Sequence, residues 1–391
     1  MAGNPPMEKK VLINMLTVSR EGILAIWLRK FKRFQELGCE MDLYGGIFCE
    51  KIDLAGEKVY DFNQTNPEIQ KIKKIRWTKW KYLAHSLKRN AYALLTFKRY
   101  LKGEYDVIYS PSSALDFAVF PHFYKKIRKD VKWVTVFDNI VPFSDPGNKL
   151  IRFLAWFFFE ISLLLLRKAD KIFAISDDLR EYLLKKGFSE GKIVLSTNGV
   201  ENDLIKKAEV DKKYNIDALF LGRINETKGI YDMLEVLRLV REKYPHFQLA
   251  IMGEGDETTK NKFKRRIKNM DLENNVQFLG FRTGQEKFNI IKSAKCFWFL
   301  SVSKSESFGV ALLEAVCSGI SSFAYDLPQF ARLYPNGEVD ISSMGDYEQV
   351  AEKVKRLFEK GDFSNEKGKL LLGKYSWEKV AEIEYNAIKN L

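Results

Sequence analysis

Two series of short apolar runs, each run separated from the next by a stretch of helical periodicity, leave this chain few folds to choose from. The first series reads VLINMLTV, CEMDLYGG, YDVIYS, WVTVFD, KIFAIS and KIVLST. The second opens after Asn198-Gly199 with DALFLG and continues through FQLAIMG, VQFLG, KCFWFLS and ISSFAY. Runs this apolar belong to strands buried on both faces, and strands alternating with helices give an α/β architecture with parallel sheets. At 391 residues the chain exceeds one ordinary core. The pattern therefore predicts two similar α/β domains joined near residues 200–210, with ligands beyond the carboxyl ends of the strands in a cleft between them.

Composition narrows the classes further. A chain 46% hydrophobic and 29% charged is globular. Its four cysteines, Cys39, Cys49, Cys296 and Cys317, follow no metal-ligand spacing and no disulfide framework, which fits a reducing compartment. Residues 1–10 lack an apolar core of signal-peptide length, so secretion by that route is not expected. The formal net charge is +13, and residues 1–206 hold 35 lysines and arginines against 24 acids. Such asymmetry predicts an anionic partner for the first half. The densest stretch, residues 70–99, contains no acid and interleaves lysines with tryptophans and tyrosines. Nucleic acid, an anionic membrane or a plain solvated helical face would each suit it. The apolar run LIRFLAWFFFEISLLLL at residues 150–166 is shorter than the roughly 20 residues that span a bilayer, which leaves a buried or a membrane-grazing helix.

The chemistry-bearing residues cluster in the second half. Strand DALFLG, ending at Gly222, runs directly into RINETKGI, which places Arg223 and Lys228 on a strand-end loop before a helix. Two cations beside a helix N-terminus suit a phosphate; two solvated surface cations are the plainer reading. Gly253, in IMGEGDE, would let a backbone approach a ligand. In KSESFGVALLEAVCSG, Glu306 and Glu314 are separated by seven residues, the first near a helix start and the second about two turns inside it. Eight helical residues span about 12 Å, too far for a shared metal or a carboxylate dyad. Two hydroxyl contacts on an extended ligand fit better, with free N–H groups near Phe308 and Gly309 facing a phosphate or a sugar ring. No Asp-x-Asp occurs, and His85, His122 and His246 show no ligand spacing, so no metal is expected.

These residues form an E-x7-E motif, and SESFGVALLEAVCSGI resembles its form in the family-4 retaining glycosyltransferases of the two-Rossmann (GT-B) fold. GRINETKG resembles the family's phosphate loop, VQFLGF its strand toward the nucleotide base, and ADKIFAISDDLREYLL with STNGV the close of its first domain. YSWEKVAEIEY resembles its terminal helix, which crosses back onto the first domain. The resemblance implies two Rossmann-like domains, with parallel sheets facing across a cleft. Residues 1–206 would be the acceptor domain, with residues 376–391 packing back on it, and residues 207–375 the donor domain. It implies a nucleotide-sugar donor, with Arg223 and Lys228 neutralising the diphosphate leaving group. Glu306 would bind sugar hydroxyls and Glu314 the ribose. Gly222, Gly253, Phe281, Ser307, Phe308, Gly309 and Val310 would line the donor site. No cofactor and no protein nucleophile are implied.

The first half departs from the family pattern. After its first strand stands TVSREGI, in which Gly22 is the lone glycine facing the donor phosphates. Where relatives often place a histidine, the comparable segments are SPSS at residues 110–113 and FDN at residues 137–139. Asp138 is the candidate acceptor-side catalytic group, and an ordinary strand-end turn residue is the alternative. The leading expectation is a cytoplasmic enzyme at the inner face of the cell membrane that extends a lipid-linked or surface-polysaccharide acceptor. A two-Rossmann sugar-nucleotide epimerase, a phosphorylase and a basic nucleic-acid-binding protein are the alternatives.

Overall fold

The structure is a computed structural model, and it describes residues 9–14, 21–44, 86–87, 90–91, 94–95, 105–143, 149–303, 306 and 308–391. Most of the basic stretch 70–99, the loop after the first strand and Ser307 lie outside the described residues. The chain forms two compact units, Met1–Thr197 with Glu378–Leu391, and Asn198–Trp377.

In the first unit, β1 (Lys10–Asn14), α1 (Glu21–Glu36), β2 (Glu40–Tyr44), β3 (Val107–Ser110) and α2 (Leu115–Ile127) come first. β4 (Lys132–Phe137), α3 (Lys149–Leu166), β5 (Lys171–Ala174), α4 (Asp177–Lys185) and β6 (Ile193–Leu195) follow. The described strands form one six-stranded sheet, ordered β2-β1-β3-β4-β5-β6. Every pairing in it is parallel. Val11, Leu12 and Ile13 of β1 and Val107, Ile108 and Tyr109 of β3 are fully buried, as central strands covered on both faces require.

The second unit is likewise a parallel α/β unit. It runs α5 (Asn202–Lys206), β7 (Ile216–Leu221), α6 (Ile230–Arg241), β8 (Leu249–Met252), α7 (Glu257–Asn269) and β9 (Val276–Gly280). It continues with α8 (Gly284–Ser293), β10 (Ala294–Phe299), α9 (Val310–Cys317), β11 (Ser321–Tyr325) and α10 (Pro328–Leu333). β12 (Asp340–Ser342), α11 (Tyr347–Lys360) and α12 (Glu366–Leu370) complete it. Its sheet is ordered β12-β11-β10-β7-β8-β9. From β7 the chain winds one way through β8 and β9, then returns to β7's other edge with β10. That reversal makes the carboxyl ends of β7 and β10 the topological switch point, where an open α/β sheet leaves a crevice. In the first sheet the same reversal falls between β1 and β3.

Two boundaries differ from the sequence reading. Residues 198–206, read there as part of the first domain, belong to the second unit. Val200 accepts a place beside Ser376 as a parallel bridge, and its N–H donates to the Tyr375 carbonyl at 2.7 Å. A Cβ on Gly199 would stand 2.7 Å from the Trp377 backbone nitrogen, so this segment is fitted to the start of the last helix. Gly22, expected in the segment after the first strand, lies in the first turn of α1, which begins at Glu21.

The last helix, α13 (Trp377–Lys389), returns to the first unit, where Glu384 is fully buried. Its carboxylate accepts from Lys30 Nζ at 2.7 Å, Ser196 Oγ at 2.7 Å and Tyr109 Oη at 2.6 Å. The apolar run at 150–166 is α3. It buries Phe159, Leu163 and Leu166 and leaves Leu150, Phe153, Phe157 and Leu164 exposed along one stripe. Among the described residues no helix is long and apolar enough to cross a membrane.

Candidate active site

The turn after β7 is shaped by two residues. Asn225 Oδ1 accepts from the Thr227 N–H at 2.9 Å and starts a single 3-10 turn, Glu226–Lys228. Gly229 then takes φ 72°, and a Cβ there would lie 1.7 Å from the Leu300 carbonyl oxygen just past β10. Only glycine fits both the left-handed backbone and that approach. The two strand-end loops are stitched together: the Val302 N–H and Ser301 Oγ both donate to the Thr227 carbonyl, at 3.0 and 3.1 Å. α6 begins at Ile230, so its N-terminal N–H groups open beside this junction.

The stitching brings Lys228 and Glu306 together. Their side chains, 20% and 14% exposed, form a close ion pair, and the Lys228 ammonium also sits 5.5 Å from the Phe299 ring centre. The second Glu306 oxygen accepts from the Gly309 N–H at 3.1 Å, and its carbonyl accepts from Gln329 Nε2 at 2.6 Å. Gly309, at φ 71°, caps α9. The sequence reading left the Gly309 N–H free for a ligand; the structure gives it to Glu306, because this carboxylate lies before the helix and folds back over its first turn. Arg223 is exposed two residues beyond β7.

Other residues named from the sequence separate into liners and packing. Phe308 is 1% exposed and meets Tyr375 edge-on at 5.9 Å, so its ring is a core group and only its backbone is available to a ligand. Gly253 faces its own sheet: a Cβ would stand 1.9 Å from the Gly222 carbonyl oxygen. That close approach is the requirement for glycine there, and Gly222, the residue it approaches, lies just past β7. Phe281 follows β9 and is half exposed. Val310 opens α9 and is partly buried. Glu314 lies in the second turn of α9, where one carboxylate oxygen accepts from Lys287 Nζ of α8 at 2.6 Å. Nothing in the sequence pairs positions 287 and 314, which face each other only once α8 and α9 pack.

In the first unit, the segments at residues 110–113 and 137–139 meet. Asp138, just past β4, accepts from Ser112 Oγ at 3.1 Å and Ser113 Oγ at 3.4 Å, beyond β3. Burial pushes the Asp138 carboxyl above the usual aspartate range, and the serine hydrogen bonds offset part of that rise. The cluster can bind or exchange protons with a hydroxyl, since it is a carboxyl held only by neutral donors.

Residues 201–369 match the family of glycosyl transferases group 1, and residues 31–204 match Glycosyltransferase Family 4. The phosphatidyl-myo-inositol mannosyltransferase of Mycobacterium leprae is 30% identical over 217 residues, covering 53% of this chain and 56% of that protein. The GDP-mannose:cellobiosyl-diphosphopolyprenol alpha-mannosyltransferase of Xanthomonas oryzae is 26% identical over 167 residues, covering 41% and 43%. The chain thus spans about half the length of these relatives. The fold resembles that of Anabaena Alr3699/HepE, solved with UDP and glucose, at TM-score 0.70 and 14% identity over 98% of this chain and 100% of that one. With each half matched by a glycosyltransferase family and two six-stranded parallel sheets, the chain belongs to the family-4 glycosyltransferases of the GT-B fold.

Proposed function

We propose that this protein transfers a hexose, with retention of anomeric configuration, from a nucleoside-diphosphate sugar to a lipid-linked or surface-polysaccharide acceptor. The observation that carries this reading is the Lys228–Glu306 pair at the switch point of the second sheet, beside the N-terminus of α6. A cation and a hydroxyl acceptor side by side are what a sugar diphosphate presents a need for. As the bond from the anomeric carbon to the diphosphate breaks, negative charge grows on the leaving oxygen. Lys228 and Arg223 meet that charge, and fixed cations in such a place lower a barrier by a few kcal/mol. Glu306 accepts hydrogen bonds from the donor sugar, and Glu314 from the ribose. The acceptor hydroxyl attacks from the face the diphosphate leaves, passing its proton to the leaving phosphate, so no protein nucleophile is required. Two cations already neutralise the leaving group, and the transfer proceeds without an added metal.

Asp138 is the acceptor-side polar group in this reading. The named relatives act on phosphatidyl-myo-inositol and on a diphosphopolyprenol, which supports an acceptor carried on lipid. The exposed stripe Leu150, Phe153, Phe157 and Leu164, on a half whose charge surplus is basic, supports peripheral contact with an anionic membrane at its cytoplasmic face. A thermal-shift series with UDP, GDP, ADP and their common sugar conjugates, in EDTA, tests the donor site. A ligand that binds only the folded state raises Tm. One diphosphate should do so, and Arg223→Ala should lose the shift. No shift with any nucleotide, beside a shift with RNA, would overturn the reading.

A further inference from the structure

The strongest unassigned feature of the second unit is a cation set between two carboxylates. Lys287 Nζ lies 2.6 Å from Glu314 Oε1 and 4.0 Å from Glu201 Oε1. All three side chains are largely buried, at 13%, 11% and 9% exposure for Lys287, Glu314 and Glu201. They come from three separate elements: α8, the second turn of α9, and the residue preceding α5. Resting on the donor reading above, we propose that Lys287 is a positioning residue, which holds the Glu314 carboxylate in place to receive the hydroxyls of the nucleotide ribose.

Two buried carboxylates share one ammonium, and the Glu314 oxygen that Lys287 leaves over calls for a hydrogen-bond donor. A vicinal diol supplies two such donors. Lys287 occupies one Glu314 oxygen, and among the described residues the carboxylate has no second side-chain partner, so one oxygen remains for the ligand. Lys287 also lies between Glu314 and Glu201. Without it the two acids repel, and Glu314, at the end of a side chain with several rotatable bonds, swings away from the place where a diol would meet it. Lys287 itself touches no ligand in this scheme.

The test compares UDP, GDP and ADP with their 2′,3′-dideoxy counterparts by calorimetric titration of the full chain, for wild type, Lys287→Met and Lys287→Arg. Wild type should prefer the ribose form of its nucleotide by roughly 10- to 100-fold, the size of a lost charge-assisted hydrogen bond. Lys287→Met should cut that preference to less than about threefold, by weakening the ribose form while dideoxy binding stays put, and Lys287→Arg should restore it. If Lys287→Met keeps the preference, or weakens both forms equally as a merely structural role would, the proposal is overturned and the donor reading stands. If wild type binds none of the three nucleotides, the donor reading fails and takes this proposal with it. Should Lys287→Met fail to fold, Lys287→Gln, which also leaves Glu201 and Glu314 facing each other without a cation, is the substitute, and the same loss of preference is expected of it.

Discussion

Glu306 and Asp138 each stand just beyond the carboxyl end of a strand, in units built to the same plan, and their surroundings are opposite. Glu306 meets a lysine and a helix N-terminal N–H. Asp138 meets two serine hydroxyls, and burial drives its carboxyl upward. The second unit therefore matches acid with base around glycine-shaped helix starts, a setting for a ligand that carries both charge and hydroxyls. The described part of the first unit offers a carboxyl among neutral donors, a setting for a hydroxyl alone. One fold, used twice, is specialised by the residues at its strand ends, because the sheet supplies the crevice and the loops supply its chemistry.

That contrast can be broken most sharply at Glu306 and Lys228. Glu306→Ala or Lys228→Ala should reduce sugar transfer by at least about 100-fold, with the circular dichroism spectrum unchanged. Unfolding of both variants would make the pair structural and dissolve the comparison. Asp138→Asn should act on the other side only, lowering kcat/KM for the acceptor by roughly tenfold, as loss of one acid–base group does, while nucleotide binding by titration is unaltered.

Stability measurements sharpen it further. The first unit's own buried charge, Glu384, holds Lys30, Tyr109 and Ser196 and faces no ligand in the proposed scheme. Glu384→Ala leaves a buried ammonium unpaired and should cost about 3–5 kcal/mol in denaturant titrations, with nucleotide affinity preserved in the folded fraction. Two glycines give a matched pair. Gly229 and Gly361 have φ 72° and 68°, but only at Gly229 would a Cβ strike backbone, since nothing lies within 4 Å at Gly361. Gly361→Ala should cost about 1 kcal/mol, the left-handed penalty alone, and Gly229→Ala at least about 2 kcal/mol more, as overpacking requires.

The smallest effect is a pH dependence. Because the folded-state pKa of Asp138 is raised above its ordinary 3.8, the folded chain holds this proton more tightly than the unfolded one. Its contribution is full below the unfolded pKa and is lost as pH rises through the folded pKa. Asp138→Asn should therefore flatten a fall in Tm that begins near pH 4, seen by scanning calorimetry in closely spaced buffers. An unchanged profile would remove Asp138 from its buried, hydroxyl-held setting.

Much of this was legible in the residue order. The apolar runs locate the strands, and RINETKGI and the E-x7-E segment mark the strand-end loops that hold Arg223, Lys228, Glu306 and Glu314. Less visible were the uses to which those residues are put. Phe308 reads as a liner until its ring is seen against Tyr375. Gly253 reads as a ligand-facing glycine, yet its missing Cβ makes room for the Gly222 carbonyl. Such assignments depend on neighbours far away in sequence.

By itself, then, the sequence determined the fold class and the two-unit plan, because a strand buried on both faces and a helix with one apolar side are written in local periodicity. It also placed the charged residues at strand ends, because glycine and polar breaks punctuate the runs. Only the tertiary structure decided that Lys228 meets Glu306, that Lys287 stands between Glu314 and Glu201, and that Asp138 meets Ser112 and Ser113. The first of those pairings arises from sheet order, which reverses direction at β7 and β10 and sets side by side loops that lie 78 residues apart for Lys228 and Glu306. Periodicity reports which face of an element is buried, and it carries no information about which element will cover it.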